Sequence, residues 1–292
     1  MDFGIGFAIV AALIWGVYLF YLKQAFVGYA ASTLTVLINV FALIWYAPIA
    51  GYSLGVSGAA EALSVFGLAH LGILLLTAVT IAGAMVAFLR ALAIGDVSYV
   101  APINKIVPVF VLPIEVLVLG QFLTPLQVAG VVVATFAVYV ANFQGGSLLD
   151  PLKRAASSRA AQLALLSAFF FAVSDIGKRV ALQELAIPTP LWVPLLLGCV
   201  IVILLPSAIQ SPPPARRGEL LKLFGAGAFV AIGEHLTTLA FALIPASIAS
   251  PIINTQAIIA VLLGGLILKE QQFGIRIVAA VLAVVGVTMI AI

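Results

Sequence analysis

Two stretches decide how this chain is read: "ALAIGDVSYVAPI" (Ala91 to Ile103) and "AFALIPASIASPI" (Ala240 to Ile252). Sliding the sequence by 149 residues lays one over the other and matches Ala91 with Ala240, Ala93 with Ala242, Ser98 with Ser247, and Pro102 with Pro251. In the same register Gly130 and Ala134 fall on Ala279 and Ala283, and an offset of 156 places "AALIWGVYLFYLK" over "SAFFFAVSDIGKR". Apolar segments match one another by chance, but aligned Pro and Ser coincide less readily than Leu and Val. The chain reads as a degenerate duplication.

Composition supplies the setting. The 292 residues are 64% hydrophobic and 8% charged, with a mean hydropathy of +1.30, whereas soluble globular proteins carry about 25% charged residues. This is the composition of an all-α integral membrane protein. Cys199 is the single cysteine and lies in an apolar stretch, so neither a disulfide nor a thiolate metal site is expected. The net charge of +3 is spread over short loops rather than gathered on one face, which argues against nucleic acid as a partner. "MDFGIGFAIVAALIWGVYLFYLK" opens with an acid and has no basic n-region or A-x-A-like exit, so it reads as a retained first span.

A crossing helix needs roughly 20 mainly apolar residues. Cutting at Gly, Pro and charge clusters predicts ten spans: Phe3–Leu22, Ser32–Ala50, Val65–Ile94, Val97–Leu119, Pro125–Phe143, Ala160–Gly177, Pro190–Ile209, Leu220–Ile244, Ser247–Leu268 and Phe273–Ile292. The long polar stretch "QGGSLLDPLKRAASSRA" falls at the midpoint, giving a first five-helix repeat over 1–144, a linker over 145–159 and a second repeat over 160–292. An odd number of spans per repeat makes the second unit enter the bilayer from the opposite side. That is the inverted-repeat plan of secondary transporters, with the solute site near the midplane between the halves.

Basic residues favour cytoplasmic loops. The odd-numbered loops hold Lys23, Arg90, Lys153, Arg154, Arg159, Arg216, Arg217, Lys222, Lys269 and Arg276, and the even ones hold Lys178 and Arg179. Both termini are therefore predicted to be non-cytoplasmic in a multi-pass plasma (inner) membrane protein.

Ionisable groups inside a span cost about 2.5 to 3.5 kcal/mol each and so tend to face a cavity or a partner. Glu234 and His235 sit mid-way along span eight. Adjacent helical residues point about 100° apart, so different partners are expected for the two, with Thr237 and Thr238 extending a polar stripe beside Glu234. Interhelical packing bonds are the alternative to cavity lining. A buried carboxyl is also able to carry a proton during transport, which makes protons a candidate partner.

Span four carries Pro102, Pro108 and Pro113 together with Asn104, Lys105 and Glu115. Interior prolines free backbone carbonyls, which membrane depth tolerates only beside protein or a wet cavity. A bend at the solute path is expected, with Lys105 either paired to Glu234 or snorkelling, and Glu115 at the membrane edge. Span nine repeats the theme with Pro251, Asn254 and Gln256, whose neutral amides both donate and accept. Trp15, Tyr18 and Tyr99 are candidate cavity rings suited to planar or cationic organic solutes. Trp45, Tyr46 and Trp192 are assigned to packing or to the interfacial belt. Gly130 with Ala134, and Ala279 with Ala283, form small-xxx-small pairs that bring backbones close and pack the halves together.

Taken together, the two five-helix repeats, "LVLGQFLTPLQVAG" (Leu117 to Gly130) and "LILKEQQFGIRIVA" (Leu266 to Ala279) make the chain resemble a ten-span EamA-type member of the drug/metabolite transporter superfamily. That family often shows hydrophobic-Gly-Glu at the repeat end. Here Gly120 and Gln121 stand in the first copy and Lys269 and Glu270 in the second, so each keeps part of the signature. The resemblance implies alternating access around a cavity lined by spans one, three, four, six, eight and nine, for export of metabolites or drugs. The aromatic content is similar to that of the branch exporting aromatic amino acids and paraquat-like compounds.

No cofactor and no catalytic residue is expected. H-E-x-x-H is absent, and His70 and His235 are the only histidines, too few for a histidine-rich metal centre. A channel for small polar solutes is the main competing function, since it too needs wet helices.

Overall fold

The computed structural model describes residues 3–64, 66–119, 124–141, 153, 156–214, 218–244, 246–268 and 273–291. Over these residues the chain is helical, without a strand. The first half contains α1 (Phe3–Ala25), α2 (Ala31–Ser64), α3 (Leu68–Ile94), α4 (Val97–Asn104), α5 (Val107–Leu119) and α6 (Pro125–Ala141). The second contains α7 (Arg159–Arg179) with a π-helical turn at Val180–Glu184, then α8 (Thr189–Ile209), α9 (Glu219–Leu243), α10 (Ala246–Asn254), α11 (Gln256–Ile267) and α12 (Phe273–Ala291).

Among the described residues, eight stretches are long and apolar enough to cross a membrane, two of them running through the broken pairs α4/α5 and α10/α11. Hydrocarbon offers no hydrogen bonds, so helices that satisfy their own backbone are what such a sequence must form. Outward-facing side chains such as Leu13, Val17, Leu76 and Val79 remain exposed and meet lipid. α6 and α12, the expected spans five and ten, pack on each other, with Gly130, Ala279 and Ala283 buried.

Two expectations change. α2 runs on past Ala50 to Ser64, with a break at Gly55, whose φ of 62° lies in the left-handed region that glycine enters without a steric penalty. Span six does not end at Gly177: the helix continues through Lys178 and Arg179 into the π-helical turn, so Lys178 is a buried intramembrane residue rather than a loop residue. Tyr46 and Trp192 take the packing alternative expected of them, fully buried between helices, while Trp45 is 41% exposed.

Packing is symmetric under exchange of the halves. α1 packs on α9 as α7 packs on α3, α2 on α9 as α8 on α3, and α1 on α11 as α7 on α5. α2 pairs with α8, its own counterpart. The halves are thus interleaved rather than merely adjacent. α1 and α9 are antiparallel: Gly4 lies against Ile244, and Tyr21 donates to Lys222 O at 3.2 Å. The C-terminus of α3 meets the C-terminus of α1, where Lys23 donates to Gly95 O at 2.7 Å, whereas the C-terminus of α9 meets the N-terminus of α1. The equivalent helices α3 and α9 therefore run in opposite directions.

Both broken helices interrupt at matched positions, but by different chemistry. Pro108 has no N–H for Asn104 O and its ring conflicts with that carbonyl, so α4 stops at Asn104 and α5 starts again at Val107. No proline stands at the second break. There Thr255 Oγ1 donates to Ile252 O at 2.7 Å and Asn254 Nδ2 to Ser250 O at 2.7 Å, and these local bonds compete with the helical ladder. Pro102 and Pro251, expected as breakers, lie inside α4 and α10, and the chain breaks about one turn later.

Arg154, Arg216, Arg217, Lys269, Gly120, Gln121, Glu270 and most of the linker 145–159 lie outside the described residues, as do the side chains of Glu115, Ala134 and Ser247.

Candidate functional site

Where the broken helices face the interleaved halves, a cavity opens with about 1080 Å³ free of protein atoms, its mouth included. Its walls come from α1, α2, α3, α5, α7, α8, α9, α10 and α11, together with Lys105 at the break. The second and seventh spans thus join the six expected: Asn39 and Thr35 from α2, and Leu196 and Val200 from α8, reach the cavity.

Four ionisable side chains line it: Lys105, Asp175, Lys178 and Glu234. Lys178 Nζ on α7 stands 2.5 Å from Glu234 Oε1 on α9, with side chains 6% and 11% exposed. Each ion loses several kcal/mol of hydration on burial, and the pair survives because each offsets the other's loss. This is the partner of Glu234; the expected Lys105–Glu234 pair does not form. One turn before Lys178, Asp175 Oδ2 accepts from Ser250 Oγ at 2.8 Å. Ser250 in turn accepts from Asn254 Nδ2 at 3.1 Å, so a carboxylate, a hydroxyl and an amide are linked across α7 and α10.

Lys105 is the C-cap of α4 and is 7% exposed. Its Nζ lies 4.9 Å from the centroid of the Phe171 ring and 5.7 Å from that of Phe88. Trp15 Nε1 donates to Thr237 Oγ1 at 2.9 Å and packs edge-on against Tyr18. The Tyr18 hydroxyl is buried and has no hydrogen-bond partner among the described residues.

Of the residues singled out from sequence, Trp15, Tyr18, Lys105, Glu234, Thr237, Asn254 and Gln256 reach this cavity. The others lie elsewhere. His235 points away from Glu234, as a 100° step requires, and its Nδ1 is 2.8 Å from the Tyr46 hydroxyl. Thr238 is fully buried between helices, and Asn104 faces α7, donating to Ala164 O at 3.4 Å. Tyr99 belongs to one end of the bundle, where the Arg276 guanidinium lies 5.8 Å from its ring centroid.

Asp175 and Lys178 were missed as site residues. Their i, i+3 spacing in "VSDIGKR" puts both on one helix face, and that was the available signal. The repeat register shows what is special about them. At the 156 offset Trp15 answers Phe171, Leu19 answers Asp175 and Leu22 answers Lys178; at 149, Met85 answers Glu234 and Lys105 answers Asn254. All ten line the cavity. One pseudo-symmetric wall is therefore mostly apolar where its counterpart is charged.

Fold and site together define a helical membrane protein whose interleaved halves enclose a largely apolar chamber with two charged side chains of each sign on its wall. The chain belongs to the EamA-like transporter family, whose model matches residues 2–143 and again 158–292. A solved structure described as "Crystal structure of protein" is similar over 98% of this chain and 95% of its own, with a TM-score of 0.69 and 15% identity, which speaks to fold alone. Among curated proteins, none matches the chain.

Proposed function

We propose that this protein is a secondary transporter that exports small organic metabolites across the plasma (inner) membrane by alternating access, as an inverted repeat of two five-helix units. The solutes are amino acids, aromatic ones included, or drug-like organic cations. Both termini are non-cytoplasmic in this reading. The boundaries follow the repeats, 1–144 and 160–292, with 145–159 as the linker.

One observation carries the reading: four ionisable side chains, two of each sign, line one cavity beside rings of Trp15, Tyr18, Phe88 and Phe171. A structural bundle gains nothing from burying four such groups, since apolar packing is often as stable. A solute with a flat apolar body and polar ends finds both surfaces here. Proton coupling is assigned to the carboxylates Glu234 and Asp175, which share the wall with Lys178.

The test is flux in proteoliposomes against a panel of amino acids and organic cations, with and without a pH gradient. Saturable uptake accelerated by solute on the opposite side is expected of a carrier. Flux that neither saturates nor responds to trans solute identifies a pore and ends the proposal. Glu234→Gln is expected to abolish the response to the gradient while exchange persists; an unchanged response removes Glu234 from coupling.

A further inference from the structure

The charged groups of the cavity are not equally satisfied. Lys178 and Glu234 neutralise each other at 2.5 Å, and Asp175 is held by Ser250 at 2.8 Å. Lys105 stands apart. Among the described residues no carboxylate comes within ion-pair distance of its Nζ and no acceptor takes its hydrogen bonds, although the residue is only 7% exposed. An ammonium carries three donors. The faces of Phe171 and Phe88, at 4.9 and 5.7 Å, return only part of what it loses on leaving water.

Its placement is fixed by the fold rather than by side-chain choice. Lys105 sits at the break between α4 and α5, where the backbone turns and the side chain is delivered into the cavity. Asn254, its counterpart 149 residues on, occupies the matching break, but its amide is already spent on Ser250. Gln256, just past the second break, also reaches the cavity without a side-chain hydrogen bond among the described residues, but as a neutral amide, and the unpartnered Asn104 Oδ1 does not line the cavity; the unpaired charge that the breaks present to the cavity is the Lys105 cation. Tyr18 lines the same cavity, and its hydroxyl is buried and without a hydrogen-bond partner among the described residues.

We infer that Lys105 is the anchor for a carboxylate on the transported solute, with the rings of Phe88 and Phe171 flanking the solute beside that group. This rests on reading the cavity as the solute chamber. The ligand class is a small organic acid with an apolar, preferably aromatic body. A carboxylate placed on Nζ supplies the charge-assisted bonds the protein does not provide, and Phe171 and Phe88 offer flat faces against which a ring packs.

The experiment uses the full chain in lipid nanodiscs and a matched pair of probes, 3-phenylpropionate and 3-phenylpropanamide, which differ in charge and hardly in shape. Binding is measured by calorimetry. The acid is expected to bind at least about tenfold more tightly than the amide, the difference a charge-assisted bond makes. In Lys105→Gln the acid falls to the level of the amide, and Lys105→Arg keeps most of the preference. Acid and amide within threefold of each other, no binding of either, or a preference that persists in Lys105→Gln each overturns the assignment. Should Lys105→Gln not fold, the ratio on the unmodified protein decides alone. Exchange of labelled 3-phenylpropionate across liposomes separates the two readings. A Lys105-dependent preference without exchange keeps the anchor and removes the transporter, and carrier flux of other solutes without acid preference does the reverse.

Discussion

Lys23 and Gln183 perform the same task at opposite ends of the bundle. Lys23 Nζ donates to Leu92 O and Gly95 O at the end of α3, and Gln183 Nε2 donates to Phe241 O and Ile244 O at the end of α9. Leu92 and Phe241, like Gly95 and Ile244, are 149 residues apart. Each donor caps carbonyls that a helix C-terminus leaves unpaired. Between Gly4, beside Ile244, and Lys23 the first helix rises roughly 28 Å, so one latch stands at each end of α1.

Removing either latch frees its own end. Lys23→Met is expected to widen spin-label distances around Gly95, and Gln183→Leu those around Ile244. Each loses bonds worth about 1 to 3 kcal/mol, roughly a 5- to 150-fold shift in population. Both variants widening the same end would contradict the paired-latch arrangement.

The ion pair Lys178–Glu234 predicts strong non-additivity. Lys178→Met alone strands a buried carboxylate and Glu234→Gln alone a buried ammonium, each costing about 3 to 5 kcal/mol. The double variant recovers most of that, measured as the unfolding midpoint in detergent. Lys105→Met combined with Glu234→Gln, by contrast, shows near-additive losses because the two do not form an ion pair. The reverse pattern would mean that Glu234 is held by Lys105.

Close helix contact gives a sharper structural test. A Cβ on Gly227 would stand 2.7 Å from the Phe41 carbonyl carbon and 2.8 Å from the Ala42 nitrogen, both backbone atoms unable to rotate away. Gly227→Ala is expected to destabilise by about 1 to 3 kcal/mol, as overpacking does. Gly198→Ala meets nothing within 4 Å and serves as the control. Equal melting temperatures for the two variants would show that α2 and α9 do not approach so closely.

Much of this was legible in the sequence, for identifiable reasons. Pro102 and Pro251 mark the duplicated elements because proline is costly in a helix and seldom aligns by accident. Lys105, Glu234 and Gln256 stand out because polar groups at membrane depth need a reason. Lys178 did not stand out: Gly177, Lys178 and Arg179 together look like the end of a span, and only the π-helical turn after Arg179 keeps the helix going. The Tyr46 to His235 bond joins residues 189 apart, and helical periodicity carries no information about such pairs. The break at Thr255 was hidden for a related reason, since Asn254 and Thr255 interrupt the helix by side-chain bonds rather than by a proline.

The two ends of the bundle are closed by different chemistry, and salt should distinguish them. Around Lys23 the closure is ionic: Arg276 Nη1 bonds Asp96 Oδ2 at 2.9 Å and Ser98 Oγ at 2.6 Å, next to the lysine cap. Asp96 is 45% exposed in its side chain, so its pairing with Arg276 is weak and open to screening. Around Gln183 the cap is a neutral amide. Raising KCl to about 1 M shortens the Debye length to roughly 3 Å, which weakens the Lys23 end and leaves the Gln183 end unchanged. Spin-label distances are therefore expected to broaden with salt around Gly95 and not around Ile244, and Asp96→Asn is expected to remove most of the salt response. Broadening at both ends, or at the Gln183 end alone, would show that charge does not hold the Lys23 side closed.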